Sequence, residues 1–311
     1  MKKSKDEQID GIMLIDKPSG MTSHDVVDLA RKSFHIRRIG HTGTLDPFAT
    51  GLLILCIGKA TRLARFIAEE DKIYRGRITL GIETDTYDSD GKIISSLKGH
   101  NVSLDTIAHA ATTLTGQFQQ LPPPFSAKKI SGIRSYELAR NGKIPELKLT
   151  DVTVHYFKIR SLAKEHIDFE TKVSAGTYIR SLAHDLGKIL GCGAHLSKLE
   201  RRASGTFKLR SAVKLSLVQR STVNELKEKV IPLSRIPLPM PSAIISKKGC
   251  AFFSNGRPVP RQYFAETLDI PQKSRVCVYS STTELLGIGI FTGKSTQNDT
   301  DTFILPTVVL S

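Results

Sequence analysis

A short apolar run, Ile12-Met13-Leu14-Ile15, is closed by Lys17-Pro18-Ser19-Gly20, which predicts a strand followed by a turn. Ser23 can cap a helix that carries Val26, Val27, Ala30 and Phe34 on one stripe and ends in basic residues. A glycine-rich loop, residues 40–51, leads into a second apolar run at residues 52–57. Tyr74, Gly76, Ile78 and Leu80 alternate with polar neighbours, as in a half-buried strand. Ser103 predicts the start of a helix with Leu104, Ile107, Ala108, Ala111 and Leu114 in it, stopped by Gly116. Residues 152–159 and 167–175 read as two strands, followed by a helix with Leu182, Leu186 and Leu190 at four-residue spacing. A further helix is expected near residues 222–230.

Between the two halves of this pattern the texture changes. Residues 117–150 open with Pro122-Pro123-Pro124, and segment 126–143 holds five basic residues against one acidic. This predicts an excursion from the sheet, with one short helix ending at Asn141-Gly142. Four prolines within residues 231–241 mark a domain boundary, and the remainder reads as a small β-rich domain with a turn at Gly256. The expected organisation is therefore a tail (1–10), a main domain (11–232) with an insertion (117–150), and a C-terminal domain (233–311). Strands and helices mix without strict alternation, which favours α+β over a doubly wound parallel sheet.

Charge changes the picture more than composition does. Lys plus Arg number 45 against 30 Asp plus Glu, a net +15. Residues 233–311 hold 8 basic and 5 acidic residues, so +12 of that charge falls in residues 1–232. The apolar stretches are strand-length, well short of the roughly 18 residues that span a bilayer. Met1-Lys2-Lys3 resembles a signal-peptide start, but no apolar segment follows, so a cytosolic protein is expected. A basic surface without a membrane signal points to nucleic acid. The four cysteines, Cys56, Cys192, Cys250 and Cys277, are scattered and read as buried free thiols.

Several chemical motifs can be set aside. Gly58-Lys59-Ala60-Thr61 lacks the earlier glycine and the Ser/Thr of a phosphate-binding loop. The acidic run from Thr84 to Gly91 would place Thr86 and Leu97 at the first and twelfth ligand positions of a calcium loop, and neither fits. Cys192 and His195 have no second ligand pair at zinc-like spacing. Chemistry without a metal or a nucleotide cofactor is expected. In the loop at residues 40–51, three glycines allow close approach of something bulky, and His41 and Asp46 are its only titratable side chains. Asp46 before Pro47 equally fits a helix N-cap followed by proline at the first helical position.

The loop from Gly40 through Asp46 to Gly51 resembles the signature loop of the TruB family of tRNA pseudouridine synthases. Asp16-Lys17-Pro18-Ser19-Gly20 with Thr22-Ser23 resembles that family's first motif, and Asp71-Lys72-Ile73-Tyr74 with Gly81-Ile82-Glu83-Thr84-Asp85-Thr86 its tyrosine-bearing strand. Ser126-Ala127-Lys128-Lys129 with Gly132 and Tyr136-Glu137-Leu138-Ala139-Arg140 is similar to the RNA-gripping insertion. Gly176-Thr177-Tyr178-Ile179-Arg180-Ser181-Leu182 and residues 191–202 are similar to the last catalytic motifs. The ordered set spans residues 11–202. The C-terminal part resembles, more weakly, a PUA-like RNA-binding module. One departure is Leu149-Thr150-Asp151-Val152, where many members place an arginine ahead of the strand.

The resemblance implies a pseudouridine synthase fold: a central mixed, largely antiparallel sheet flanked by helices, with a thumb-like insertion and a small C-terminal domain. It implies isomerisation of a uridine in the T loop of tRNA (position 55), with no cofactor. Asp46 would be the essential carboxylate, acting as nucleophile or base, and Arg180 the ion-pair partner that lowers its pKa and aims it. The base must be flipped out to reach it. Tyr74 would stack on the extruded uracil, and His41 would fill the vacated space. Leu199, Tyr178 and Lys17 would complete the substrate site. Lys128, Lys129, Arg134 and Arg140 would grip phosphates of the T-arm. The insertion favours a stand-alone monomeric enzyme without an obligate protein partner over a guide-RNA-dependent one. A tRNA-folding chaperone on the same scaffold is the reading from a different class, and Asp46, Tyr74 and Arg180 together argue for the enzyme.

Overall fold

The computed structural model describes residues 9–97, 99, 101–125, 148–266, 268–293 and 303–310, and the backbone alone of strand residues 129–130 and 133–134. Its main sheet is built from β1 (Gly11–Lys17), β2 (Thr50–Ile57), β3 (Lys72–Leu80), β4 (Gly116–Gln120), β5 (Thr150–Ala163), β6 (His166–Val173) and β7 (Ala194–Ser204). In space they run β1-β2-β7-β3-β6-β5-β4. Every neighbouring pair is antiparallel except β2 and β7, which run parallel where Glu200 faces Thr50 and Arg201 faces Gly51. The mixed α+β architecture read from the sequence is the one observed.

Side-chain alternation explains the strand sequences. Met13 and Ile15 of β1, with Leu53, Leu55 and Ile57 of β2, join the core under helices α1 (Ser23–Phe34), α2 (Leu104–Thr113) and α3 (Ile179–Ile189). Their alternate neighbours, Ile12, Leu14, Leu52, Ile54 and Cys56, join a second core behind the sheet. A strand covered on both faces is apolar at every position, which accounts for the unbroken runs. β3 and β6 are covered on one face only. Ile78, Leu80, Ile167 and Phe169 point to the helices, while Arg75, Arg77, Asp168 and Glu170 meet on the other side.

The C-terminal sheet contains β8 (Ser242–Ile245), β9 (Arg275–Ser280), β10 (Leu285–Phe291) and β11 (Phe303–Val309), with helix α4 (Lys247–Ser254). Ala243, Ile245, Phe253, Val276, Val278 and Ile304 form its own core. Cys277, Leu285, Ile288, Val308 and Leu310 face the other way and pack with Ile12, Leu14, Ile54 and Phe66. The domain thus shares a core with the back of β1 and β2 and is tied to residues 62–69, where Arg62 donates to the Val309 carbonyl and Arg275 pairs with Glu69. The proline-rich segment begins in the main sheet, where Ile231 and Pro232 pair with β1.

Three local expectations change. The cap of α1 is Thr22 rather than Ser23: the Thr22 hydroxyl accepts from the Asp25 N–H at 3.1 Å, and the Asp25 carboxylate accepts from the Thr22 N–H at 2.8 Å. Residues 117–120 and 150, expected in the excursion, pair with each other's strands in the main sheet; the helix expected to end at Asn141-Gly142 lies outside the described residues. α2 ends at Thr113 with Leu114 at its C-cap, and Gly116 opens β4 instead of stopping the helix. α4 was not anticipated, and Gly256 follows it with a left-handed φ of 71°.

Candidate active site

Asp46 stands on the loop that joins the short strand Ile39–His41 to β2. No helix follows Pro47, so the N-cap reading of Asp46 is not realised. Buried Leu45 and Ala49 anchor the loop on either side of it. Ser23, freed from capping, accepts from the Leu45 N–H at 2.8 Å and donates to the Leu45 carbonyl at 3.1 Å, fastening the loop to α1. Arg201 of β7 donates to the Leu52 carbonyl at 2.7 Å and the Gly43 carbonyl at 3.0 Å. Gly51 has φ +97°, and a Cβ there would lie 2.5 Å from the Arg201 carbonyl oxygen, so the closeness of β2 and β7 depends on glycine.

Lys17 is 0% exposed. Its ammonium donates to the carbonyls of Pro18 at 2.9 Å, Met21 at 2.6 Å and Pro47 at 3.3 Å, and burial brings its pKa down to about 8. The structure therefore corrects its assignment as a substrate contact. Lys17 lies behind the loop, tying the turn that precedes α1 to the segment next to Asp46.

A cavity of about 520 Å³ opens in front, lined by Asp46, Lys72, Tyr74, Tyr178, Arg180, Leu199 and Arg201 among others. That size suits an extruded nucleotide. Arg180, 6% exposed on α3, is the centre of its polar floor. One guanidinium nitrogen donates to Asp46 Oδ1 at 3.0 Å and the Phe125 carbonyl at 3.0 Å. The other donates to Asp88 Oδ2 at 2.9 Å and the Thr86 carbonyl at 3.2 Å. The expected ion pair is present, but its effect on Asp46 is outweighed. Burial pushes the Asp46 carboxyl above its ordinary value, Arg180 pulls it back, and Asp88 adds to the rise.

Tyr74 and Leu199 are nearly buried in the cavity wall, on adjacent strands β3 and β7. Tyr178 sits at the N-cap of α3, its backbone held by the side-chain amide of Gln120 through bonds of 2.8 and 3.0 Å. His41 is half-buried beside the cavity rather than in its lining; its Nδ1 accepts from the Gly43 N–H at 3.2 Å, and burial lowers its pKa. Lys129 and Arg134 stand opposite each other in a two-residue antiparallel ladder, and Lys128 and Arg140 lie outside the described residues. The sequence reading left out Asp88, Gln120, Lys72 and Arg201. Asp88 lay within the acidic run tested as a calcium loop, and its arginine partner is 92 residues away, so no local signal pointed to it.

Two solved structures share this architecture over 100% of the chain, each with a TM-score of 0.77. One is described as a Cbf5-Nop10-Gar1 complex (25% identity, 88% of that chain covered) and the other as an H/ACA RNP bound to a substrate RNA containing 2′-deoxyuridine (23% identity, 88% covered). The fold is that of the pseudouridine synthases, isomerases that reconnect uracil to its ribose through carbon. Residues 31–179 match the TruB family pseudouridylate synthase N-terminal domain, and residues 180–244 match the tRNA pseudouridylate synthase B C-terminal domain. Proteins named tRNA pseudouridine synthase B are similar along most of the chain. The one from Alkaliphilus oremlandii is 39% identical, covering 91% of this chain and 93% of its own. Those from Clostridioides difficile and Aquifex aeolicus are 39% and 42% identical, covering 89% and 73% of this chain and 93% and 79% of theirs. The chain belongs to the TruB family of pseudouridine synthases.

Proposed function

We propose that this enzyme converts a T-loop uridine of tRNA, at position 55, to pseudouridine without a guide RNA. The observation that carries the reading is Asp46 at the floor of a nucleotide-sized cavity, ion-paired to a buried arginine that is itself anchored by a second carboxylate. Asp46 supplies the carboxylate on which the reaction depends, and Arg180 keeps it ionised against its burial. The acid limb of the pH–rate profile then lies above the ordinary carboxylate range. The uridine enters by flipping out of the folded loop, at a cost of a few kcal/mol. Tyr74 stacks on it, Leu199 packs beneath it, and Tyr178 borders it. His41 holds the space the base leaves in the RNA. Lys17 acts one layer back, fixing the loop.

Basic residues of the insertion, Lys128, Lys129, Arg134 and Arg140, grip T-arm phosphates, and the C-terminal domain is a PUA-like second RNA contact. Stand-alone action is supported by 39–42% identity to proteins named tRNA pseudouridine synthase B, against 23–25% to the chains of an H/ACA RNP and a Cbf5-Nop10-Gar1 complex; a monomer in the cytoplasm is proposed with it. Among the described residues no helix is long and apolar enough to cross a membrane. The test compares wild type with Asp46→Asn on unmodified tRNA, mapping pseudouridine by carbodiimide-stop primer extension with no other protein or RNA added. The expected result is conversion of one T-loop uridine by wild type and a rate lower by a factor on the order of 10⁴ in the variant, with tRNA binding retained. Conversion by neither protein would overturn stand-alone catalysis.

A further inference from the structure

We propose that Tyr87 and His184, stacked behind the cavity, are positioning residues for Arg180 and through it for Asp46; this rests on the reading of Asp46 as the reacting carboxylate. Tyr87 lies between Thr86 and Asp88. The Thr86 carbonyl and the Asp88 carboxylate accept from the same Arg180 nitrogen, at 3.2 and 2.9 Å. Turning both neighbours of one residue toward a single donor requires the chain to reverse between them, and Tyr87 does so with a left-handed φ of 64°. That conformation is disfavoured for any residue with a Cβ and persists only where the surroundings enforce it.

The enforcement is visible. The Tyr87 N–H donates to the Thr84 carbonyl at 3.2 Å, and its carbonyl accepts from the Leu196 N–H at 3.0 Å. Its ring lies on the His184 ring with centroids 3.8 Å apart and planes 8° from parallel. His184 is four residues beyond Arg180, so one face of α3 grips the loop twice at successive turns, once by charge and once by ring contact. The His184 side chain is 8% exposed and its Nδ1 makes no hydrogen bond, with the nearest carboxylate, Glu83, 3.7 Å away. The imidazole is thus used here for its face. Neither ring is among the residues that line the cavity. Without the stack, the turn relaxes, Asp88 withdraws and the Arg180 fork loses the anchor opposite Asp46. Asp46 is faced by Arg180, Asp88, Lys17 and Asp90, of which Arg180 weighs most, so misaligning it leaves the carboxyl harder to ionise.

The experiment separates ring from backbone. Tyr87→Gly removes the ring while relieving the left-handed conformation; Tyr87→Phe keeps the ring. Turnover of unmodified tRNA is followed across pH for both, for wild type and for Asp46→Asn. The Gly variant is expected to lose roughly 10- to 100-fold in kcat with KM unchanged, and its acid limb to move to higher pH; the Phe variant is expected to match wild type in all three. A ring serving only stability would lower the melting temperature of the Gly variant and leave kcat and the acid limb in place, and that result would overturn the proposal. If the Gly variant does not fold, His184→Leu and His184→Phe make the same comparison from the helix, where equal kcat for the two would overturn it. Turnover by Asp46→Asn would instead sink the assignment of the carboxylate itself, whereas an inactive Asn variant beside a fully active Tyr87→Gly would sink only the stacked pair.

Discussion

Arginines meet carboxylates on both faces of the central sheet, in chemically identical pairs that behave in opposite ways. On the open face Arg77 binds Asp168 through two bonds of 2.7 and 3.0 Å, and Glu170 receives Arg75 at 2.7 Å and Arg160 at 2.9 Å. There the Arg77 hydrogen bond holds the Asp168 carboxyl below its ordinary value. On the helix face the Asp46–Arg180–Asp88 chain has similar distances, yet the Asp46 carboxyl is raised. Sharing of the cation makes the difference. Asp168 takes both bonds of Arg77, and Glu170 draws on two arginines, so its carboxyl too lies below the ordinary value although its side chain is only 13% exposed. Asp46 takes one bond from an arginine it shares with Asp88, and burial outweighs that single contact. The first set decorates the sheet; the second keeps a reactive charge in a place that disfavours it.

Substitutions in the two sets should separate accordingly. Arg180→Met leaves two enclosed carboxyls without their cation and is expected to cost about 3–5 kcal/mol in urea unfolding and to abolish turnover. A loss no greater than that of an open-face arginine would erase the distinction. Asp88→Asn retains an oxygen that accepts from Arg180 but removes the charge that raises Asp46. Its acid limb should therefore move to lower pH, with kcat changed by less than about tenfold. Movement to higher pH would mean that Asp88 acts by geometry alone.

Asp46→Asn sharpens the comparison from the side of stability. An aspartate whose folded pKa exceeds its unfolded value of 3.8 opposes folding increasingly as pH rises through that interval, and the penalty is complete above it. Its removal should raise the melting temperature at pH 7 by about 2 °C, with no gain at pH 3. Asp168 has the reverse sign: its depressed pKa contributes stability above 3.8 that is lost as pH falls through the folded value. Arg77→Ala, the smallest expected effect, should lower the melting temperature by less than about 2 °C, and less still at high salt.

Much of this was legible in the chain. The unbroken apolar runs of β1 and β2 and the alternating pattern of β3 state which strands are covered on both faces. Asp46 and Arg180 were found through ordered motifs, since their separation by 134 residues leaves no local signal. Depth was harder to see. Nothing in the motif from Asp16 to Gly20 marks Lys17 as buried; only the fold reveals that its ammonium is consumed by three carbonyls. Thr22 and Ser23 both suit a helix start, and the competition is decided by Leu45, twenty-two residues away. Asp88 escaped notice because a carboxylate that anchors an arginine has no spacing rule of its own.

The C-terminal sheet has one further consequence, through the wall it shares with β1 and β2. Ile12, Leu14, Ile54 and Cys56 share one core with Leu63, Phe66 and Phe207 and with Leu285, Ile288, Val308 and Leu310 of the C-terminal sheet. A chain cut after Met240 would present that strip to water as a bare, sticky panel directly beneath the strands from which the Asp46 loop is hung. The two domains are therefore inseparable in the practical sense: shortening the protein to its catalytic half should yield precipitate, not a smaller enzyme.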